Sequence, residues 1–458
     1  LKEKMAESVS ERVEAGPNDD AEGVARGGLR RVISHLDAAA LAVGIVVGTG
    51  IFAVPGYVAL ELGAPGPILA AWALGGVVAL AGAMTLAELA SMFPRQGGSL
   101  VYVLRAFGPF PAFLKGWGSF LVGYPASCAG IATVFGIYLA EALSWDGGAK
   151  PLAFAALAAV WFLNLRGTRF SASLQTVLTL AKVGALVALA LLALFLGSAH
   201  WDRLFTTGAS VPGPRAFAAA LVGILWTYDG WQNLAVVSGE IRDPGRVIVR
   251  ALVSAIGIVI GTYLLVNVSY LVLLPFDELA GAESAASSAA RSVLGPWGGT
   301  LLAVLVGVSS FGALFGISVA GPRYFYSMAE NGLFFRVAAR VDERTSAPRW
   351  GATALFVTSA AYVATSTFEQ IMGFYIAVTL LYNVLSVASI FRLRAKLPDA
   401  PRPFRVPGYP WVPILFIVGA LWVTGNEIAR NPWRSGIGVG VLFLAAPVYV
   451  WWKRARPA

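Results

Sequence analysis

The residues best suited to chemistry in this 458-residue chain sit where polar groups cost most, inside long apolar stretches. Val43 to Gly56, VGIVVGTGIFAVPG, places Gly48, Thr49 and Gly50 near the middle of a segment long enough to span a bilayer, where a continuous helix favours Ala or Leu. A second interruption, Trp226-Thr227-Tyr228-Asp229-Gly230-Trp231, breaks another such segment. Lys182 lies within TVLTLAKVGALVALALL, too far from either end to snorkel. A helix broken at membrane depth frees N–H and C=O groups, which is tolerable only where the break is buried in protein or lines a cavity.

Those freed groups define a recognition chemistry. A half-helix beginning near Ile51 presents the N–H groups of Thr49, Gly50 and Ile51 with the positive end of its dipole, a site for a carboxylate. A half-helix ending near Val46 presents carbonyls, which suit an ammonium, and Thr49 adds a hydroxyl donor. Carbonyls of Trp226, Thr227 and Asp229 can complete the ammonium site, with Trp226 or Tyr228 closing over the ligand as a gate. The ligand expected is a small zwitterion. The competing reading makes Gly44 and Gly48 a small-residue packing face and the aromatics ordinary packing.

Two charges need partners. Asp229 either meets a substrate amine or side chain, takes up a proton, or hydrogen-bonds freed N–H groups of the second half-helix. Lys182 needs an acceptor or must give up its proton. Carbonyls of the first break are good acceptors, and a fixed positive charge there stands where a sodium ion otherwise could. The alternative is a lysine in a wet vestibule. Glu88 and Glu240 read as structural, Glu240 at a helix exit with local charge partners.

The elements that must carry these residues follow from composition. With 57% hydrophobic and 13% charged residues, the chain reads as an all-α polytopic membrane protein, and its continuous apolar runs exclude a β-barrel. Twelve transmembrane helices are expected, at 36–62, 67–93, 109–143, 151–165, 172–197, 214–240, 247–274, 296–328, 349–366, 368–393, 411–428 and 434–452. Residues 1–34 are expected to form a disordered cytoplasmic tail without a cleavable signal, 35–400 a ten-helix transport core, and 401–458 helices 11 and 12 with a short cytoplasmic C-terminus. Most of the 34 Lys and Arg fall on one side of this map, which puts both termini in the cytoplasm of a cell-membrane protein. The net charge of +9 then reflects topology and anionic lipid, with no nucleic acid implied. Unusual helices in corresponding positions of two five-helix groups point to a 5+5 inverted repeat with helices 1 and 6 broken. His35, His200 and Cys128 form no metal motif, no phosphate-binding GxxxxGK[ST] loop is present, and no catalytic residue set or cofactor is expected.

The motifs, in order, resemble the amino acid, polyamine and organocation superfamily, most closely its L-type amino-acid transporter branch with the bacterial serine/threonine-exchanger-like members. The matching stretches are VGIVVGTGIF at 43–52, AELASMFPRQGGSLVYVLRAFGPFPAFLKGW at 87–117, GYPAS at 123–127, NLRGTRFSASLQTVLTLAK at 164–182, WTYDGW at 226–231, SGEIRDP at 238–244 and GPRYFYSMAENGLF at 321–334. The resemblance implies a leucine-transporter-like fold working by alternating access. It assigns Thr49 and Gly50 to the substrate carboxylate, carbonyls of Val46, Trp226 and Asp229 to its amine, and Trp226 to the gate. It also makes Lys182 the fifth-helix lysine that replaces sodium, with Ser309 and Ser310 supplying hydroxyls near the first break. Two departures stand out: the loop Ser144 to Pro151 lacks the cysteine that bonds a heavy chain, so no disulfide-linked partner is expected, and Phe315 stands where many members have Asn. The expected function is sodium-independent exchange of a neutral L-amino acid. A proton-coupled symporter is the first rival, and an ion channel or nutrient receptor the remaining ones.

Overall fold

The computed structural model describes residues 31–196, 199–206, 212–282, 284–342 and 344–454. Of the expected tail, residues 1–30 lie outside this set, while the last residues are tied down: the N–H groups of Val32 and Ile33 donate to the Glu240 carbonyl at 2.9 and 3.0 Å. Ser34 then opens the first helix with a reciprocal cap, its hydroxyl oxygen accepting from the Asp37 N–H and its own N–H donating to the Asp37 carboxylate.

Among the described residues the structure is helical and has no strand beyond a single bridge, Ile33 to Ile241. In chain order the helices are α1 (His35–Val46), α2 (Gly50–Leu62), α3 (Pro65–Met92), α4 (Ser99–Phe107), α5 (Pro109–Gly118), α6 (Tyr124–Ala142), α7 (Ala149–Asn164), α8 (Thr168–Leu196) and α9 (Pro214–Thr227). They continue as α10 (Asn233–Val236), α11 (Pro244–Leu273), α12 (Phe276–Leu279), α13 (Ala285–Leu294), α14 (Pro296–Glu330), α15 (Arg349–Thr365), α16 (Phe368–Lys396), α17 (Trp411–Arg430) and α18 (Pro432–Arg454). Proline opens α3, α5, α9, α11, α14 and α18, where its missing N–H is no loss. A five-residue π-helical turn, Ser119–Gly123, joins α5 to α6 in one continuous segment.

Among the described residues, seven helical segments are long and apolar enough to cross a membrane, and α1 with α2, bent by 43° at their junction, make an eighth. The α7 and α9 helices are apolar but shorter. The expected sixth span, 214–240, is the largest departure from the sequence reading. After α9 the chain makes a turn, the four-residue α10 and a 3₁₀ turn at Ser238–Glu240, so no long second half-helix follows. The short α4, α12 and α13 helices lie outside every expected span.

The centre of the molecule is built from α1, α3, α6, α8, α11 and α14. The α11 helix packs along α3 and α1, α14 along α6, and α8 against both α1 and α14. The buried carboxylates have partners far away in sequence. Glu88 takes two donors from Arg394, at 2.9 and 2.6 Å, and the Val406 N–H at 2.6 Å. Glu240 pairs with Arg323 and accepts from Gln96 at 3.3 Å, so its partners are not the neighbouring charges the sequence suggested. Both carboxylates are fully buried, where only such pairing makes a charge tolerable.

Candidate functional site

The first break lies where its glycines and threonine put it. The α1 helix stops at Val46, Val47 leaves helical geometry with ψ 86°, and α2 resumes at Gly50 with Thr49 as its unbonded cap. The carbonyls this frees point at side chains from three other helices. Lys182 of α8 donates to Gly44 O and Val47 O at 2.5 Å each and to Ser309 O at 3.3 Å. Three acceptors match the three N–H bonds of an ammonium. Lys182 is fully buried, which removes the wet-vestibule alternative.

Ser309 of α14 donates to Gly48 O at 3.3 Å. Ser310, expected beside it, instead bonds Val306 O of its own helix at 2.6 Å and takes no part in the break. The packing reading also divides. A Cβ on Gly44 would lie 2.1 Å from Gln175 Nε2 and from Thr179 Oγ1, so that glycine lets α8 approach, whereas a Cβ on Gly48 would meet Ala313 Cβ at an ordinary 3.4 Å.

The second break is organised differently. Gly230, with φ +116°, makes the turn after α9. Asp229 beside it is held by side chains: Tyr375 OH donates at 2.5 Å, Gln232 Nε2 at 3.1 Å and Asn383 Nδ2 at 3.2 Å. Of the three roles read for it from the sequence, hydrogen bonding is the one its surroundings supply, but no long half-helix follows, and side chains, two of them from α16, are its main donors. Tyr228, a candidate gate, is fully buried against Trp72 and Tyr263, with ring centroids at 6.0 and 5.1 Å. It packs behind the site and does not line the cavity in this conformation.

One residue that sequence reasoning missed joins the two breaks. Tyr263 of α11 is fully buried, and its hydroxyl lies 2.9 Å from Val46 O and 3.1 Å from Thr227 O. A hydroxyl has one proton, so it can serve only one of these carbonyls at a time. The second break also meets α2 directly, since a Cβ on Gly50 would lie 2.5 Å from Thr227 Oγ1.

Between the breaks is a cavity. Val46, Thr49, Gly50, Trp226, Thr227 and Asp229 line it, whereas Ile51 and Tyr228 do not. The sequence reading missed the opposing wall of Ser127, Gly130 and Ile131 from α6, Ile317 from α14 and Tyr375 from α16. Phe315, which stands where many members have Asn, is fully buried and outside this lining, whereas Ile317 of the same helix is part of it. Only proximity to the quoted GYPAS stretch pointed to α6. Among the described residues no group of three or more His, Cys, Asp or Glu is arranged to hold a metal ion. The cavity therefore offers backbone donors and acceptors, hydroxyls and one carboxylate, with apolar walls, a set that matches a small zwitterion.

Comparison with known proteins gives the same class. The family model described as amino acid permease matches residues 33–444. The chain is 30% identical over 434 residues to the serine/threonine exchanger SteT of Bacillus subtilis (strain 168), covering 94% of this chain and 98% of that protein. It is 28% identical over 461 residues to the human cystine/glutamate transporter, covering 98% and 91% respectively. With the mouse b(0,+)-type amino acid transporter 1 the identity is 28% over 418 residues, covering 88% and 84%.

Proposed function

This chain belongs to the amino acid permease family of integral membrane transporters, and on that premise we propose that it exchanges neutral L-amino acids across the cell membrane without sodium. The observation that carries the reading is the cage around Lys182, whose ammonium engages two backbone carbonyls of the first break and that of Ser309 in α14. A fixed cation there supplies the charge a bound sodium ion would bring, and it orders the break so that the Thr49 and Gly50 N–H groups face the cavity for a carboxylate. Val46 O and carbonyls of the second break take the amine. Trp226, half-buried at the cavity edge, closes over the ligand, and Ser309 steadies the break through Gly48 O.

The mechanism is alternating access in a twelve-helix, 5+5 inverted-repeat fold, with both termini cytoplasmic and no disulfide-linked heavy chain. The names of the relatives, an exchanger among them, support amino-acid exchange. A proton-coupled symporter is the second reading, favoured by the Asp229 carboxylate in the cavity wall.

Counterflow in proteoliposomes separates the two. Labelled amino acid should enter vesicles preloaded with unlabelled amino acid, independently of sodium. Equal uptake into empty vesicles under a proton gradient would overturn exchange in favour of symport. Thr49→Trp should abolish binding by filling the gap between α1 and α2, and retained affinity would sink the proposed site.

A further inference from the structure

Glu240 carries two separate sets of bonds, one through its main chain and one through its side chain. The 3₁₀ turn Ser238–Glu240 ends there and Ile241 is extended, so the local chain leaves the Glu240 carbonyl free. Both lone pairs of that oxygen are taken from ahead of α1: the Val32 N–H donates at 2.9 Å and the Ile33 N–H at 3.0 Å. Ile33 O in turn accepts from the Arg242 N–H at 3.0 Å. Ile33 and Ile241, paired in this short parallel bridge, are both buried.

The carboxylate has different partners. It pairs with Arg323 of α14 through two guanidinium nitrogens and accepts from Gln96 Nε2, in the loop between α3 and α4, at 3.3 Å. That loop has further bonds to the same neighbours. The Gly97 N–H donates to Val236 O at 3.0 Å, Ser238 Oγ to Arg95 O at 2.7 Å and Ser327 Oγ to Gln96 O at 2.8 Å. A Cβ on Gly98 would lie 2.6 Å from the Ala235 carbonyl carbon, so the backbones themselves are in close contact. Four segments therefore meet at one residue: the chain ahead of α1, the α3–α4 loop, residues 236–242 and α14. The arrangement carries a standing cost, since the buried Gln96 Oε1 finds no donor among the described residues.

Two helices measure where this node lies. Ile45 lines the cavity ten residues after His35 opens α1, about 15 Å by helical rise. Arg323 and Ser327 lie about 9 and 15 Å past the cavity-lining Ile317 of α14. Both paths lead from the cavity to Glu240, so the node forms a floor at the face where α1 begins.

We propose that the chain at Val32 and Ile33 is a strap that holds this floor closed. It fixes the start of α1 to the Glu240 main chain, while the carboxylate of the same residue fixes that segment to α14 and the α3–α4 loop. The cavity opens to this face only when the node comes apart, and the strap sets how often it does. Its donors are main-chain groups, so the one side chain it buries, Ile33, is where it can be broken selectively.

The test reads which face reaches the cavity. Ser127→Cys in a Cys128→Ser chain puts one thiol in the cavity wall, and a membrane-impermeant maleimide is applied to either face of proteoliposomes in which protein orientation has been fixed. Ile33→Asp should raise the floor-side labelling rate by about tenfold or more, while the rate from the opposite face falls or stays within about twofold. Ile33→Val, which keeps the backbone bonds and an apolar side chain, should keep both rates of the reporter chain. Where Ile33→Asp does not accumulate, Ile33→Pro, which deletes only the N–H and keeps an apolar side chain, is read in its place. Unchanged floor-side labelling, or an equal rise at both faces, overturns the proposal. So does a floor opened by Glu240→Gln but by neither strap variant, which would leave the closure to the ion pair alone. Labelling needs no substrate, so a protein that exchanges no amino acid would fail the transport reading and leave this result standing.

Discussion

The two breaks start from the same kind of sequence, a glycine-containing polar interruption in an apolar segment, and reach opposite solutions. At the first, two long half-helices meet at 43°, and the freed carbonyls are satisfied from outside by Lys182, Ser309 and Tyr263. At the second, the chain largely satisfies itself. Asp229 N bonds Trp226 O at 3.1 Å, Asn233 N bonds Gly230 O at 3.1 Å, and the Asp229 side chain is what neighbouring helices grip. The first break is therefore backbone held by foreign side chains, and the second is a side chain held by foreign side chains. Backbone groups recognise what all amino acids share, so the first break suits binding, while the second is tied to α16 through the Asp229 side chain.

The largest expected effect comes from removing the cation of the first break. Lys182→Met leaves three buried carbonyls without their donor, a loss of about 3 kcal/mol or more at roughly 1 kcal/mol or more each. Transport should vanish and the thermal midpoint of the purified protein should fall. Wild-type counterflow from that variant would end the distinction between the breaks.

Next, Gly50→Ala drives a Cβ to 2.5 Å from Thr227 Oγ1 and to 2.9 Å from Thr227 Cβ, so the two breaks must separate. Equilibrium binding should weaken by at least about tenfold, or about 1.4 kcal/mol. Asp229→Asn should be milder for binding and act on turnover. It removes the charge gripped by Tyr375 and Asn383 at a cost of about 1–3 kcal/mol in stability, read by thermal unfolding, with counterflow slowed more than affinity is lost.

Smallest is Tyr263→Phe, which deletes a single shared hydroxyl worth about 1 kcal/mol and should raise KM about fivefold while the protein stays folded. A larger effect than that of Lys182→Met would show that the link between the breaks matters more than the cage.

Much of the site was legible because polar groups at membrane depth are conspicuous. Gly48 to Gly50, Asp229 and Lys182 each violate an apolar context, and the structure gathers them around one cavity or its supports. Residues in keeping with their surroundings were not legible. Tyr263 sits in an ordinary apolar helix sequence, and Ile131 and Ile317 carry no local signal, so nothing in their spacing announces that they face the cavity. Ser310 and Tyr228 show the reverse error. Adjacent in sequence to Ser309 and Asp229, they are rotated by roughly 100° per position on a helix or carried to the far side of a turn, and both face away.

Length, hydropathy and the placement of glycine and charge determine by themselves that this chain is a helical membrane protein interrupted twice, because no water is available to hide a free carbonyl and the interruptions must be deliberate. They also determine that Lys182 needs acceptors. Which acceptors it finds, that Tyr263 bridges the breaks, and that the sixth segment collapses into a turn after Thr227 are decided only by tertiary packing. Hydrogen-bond partners 36 to 217 residues apart are set by which helix faces meet. That choice depends on the whole bundle and is written in no single stretch of the chain.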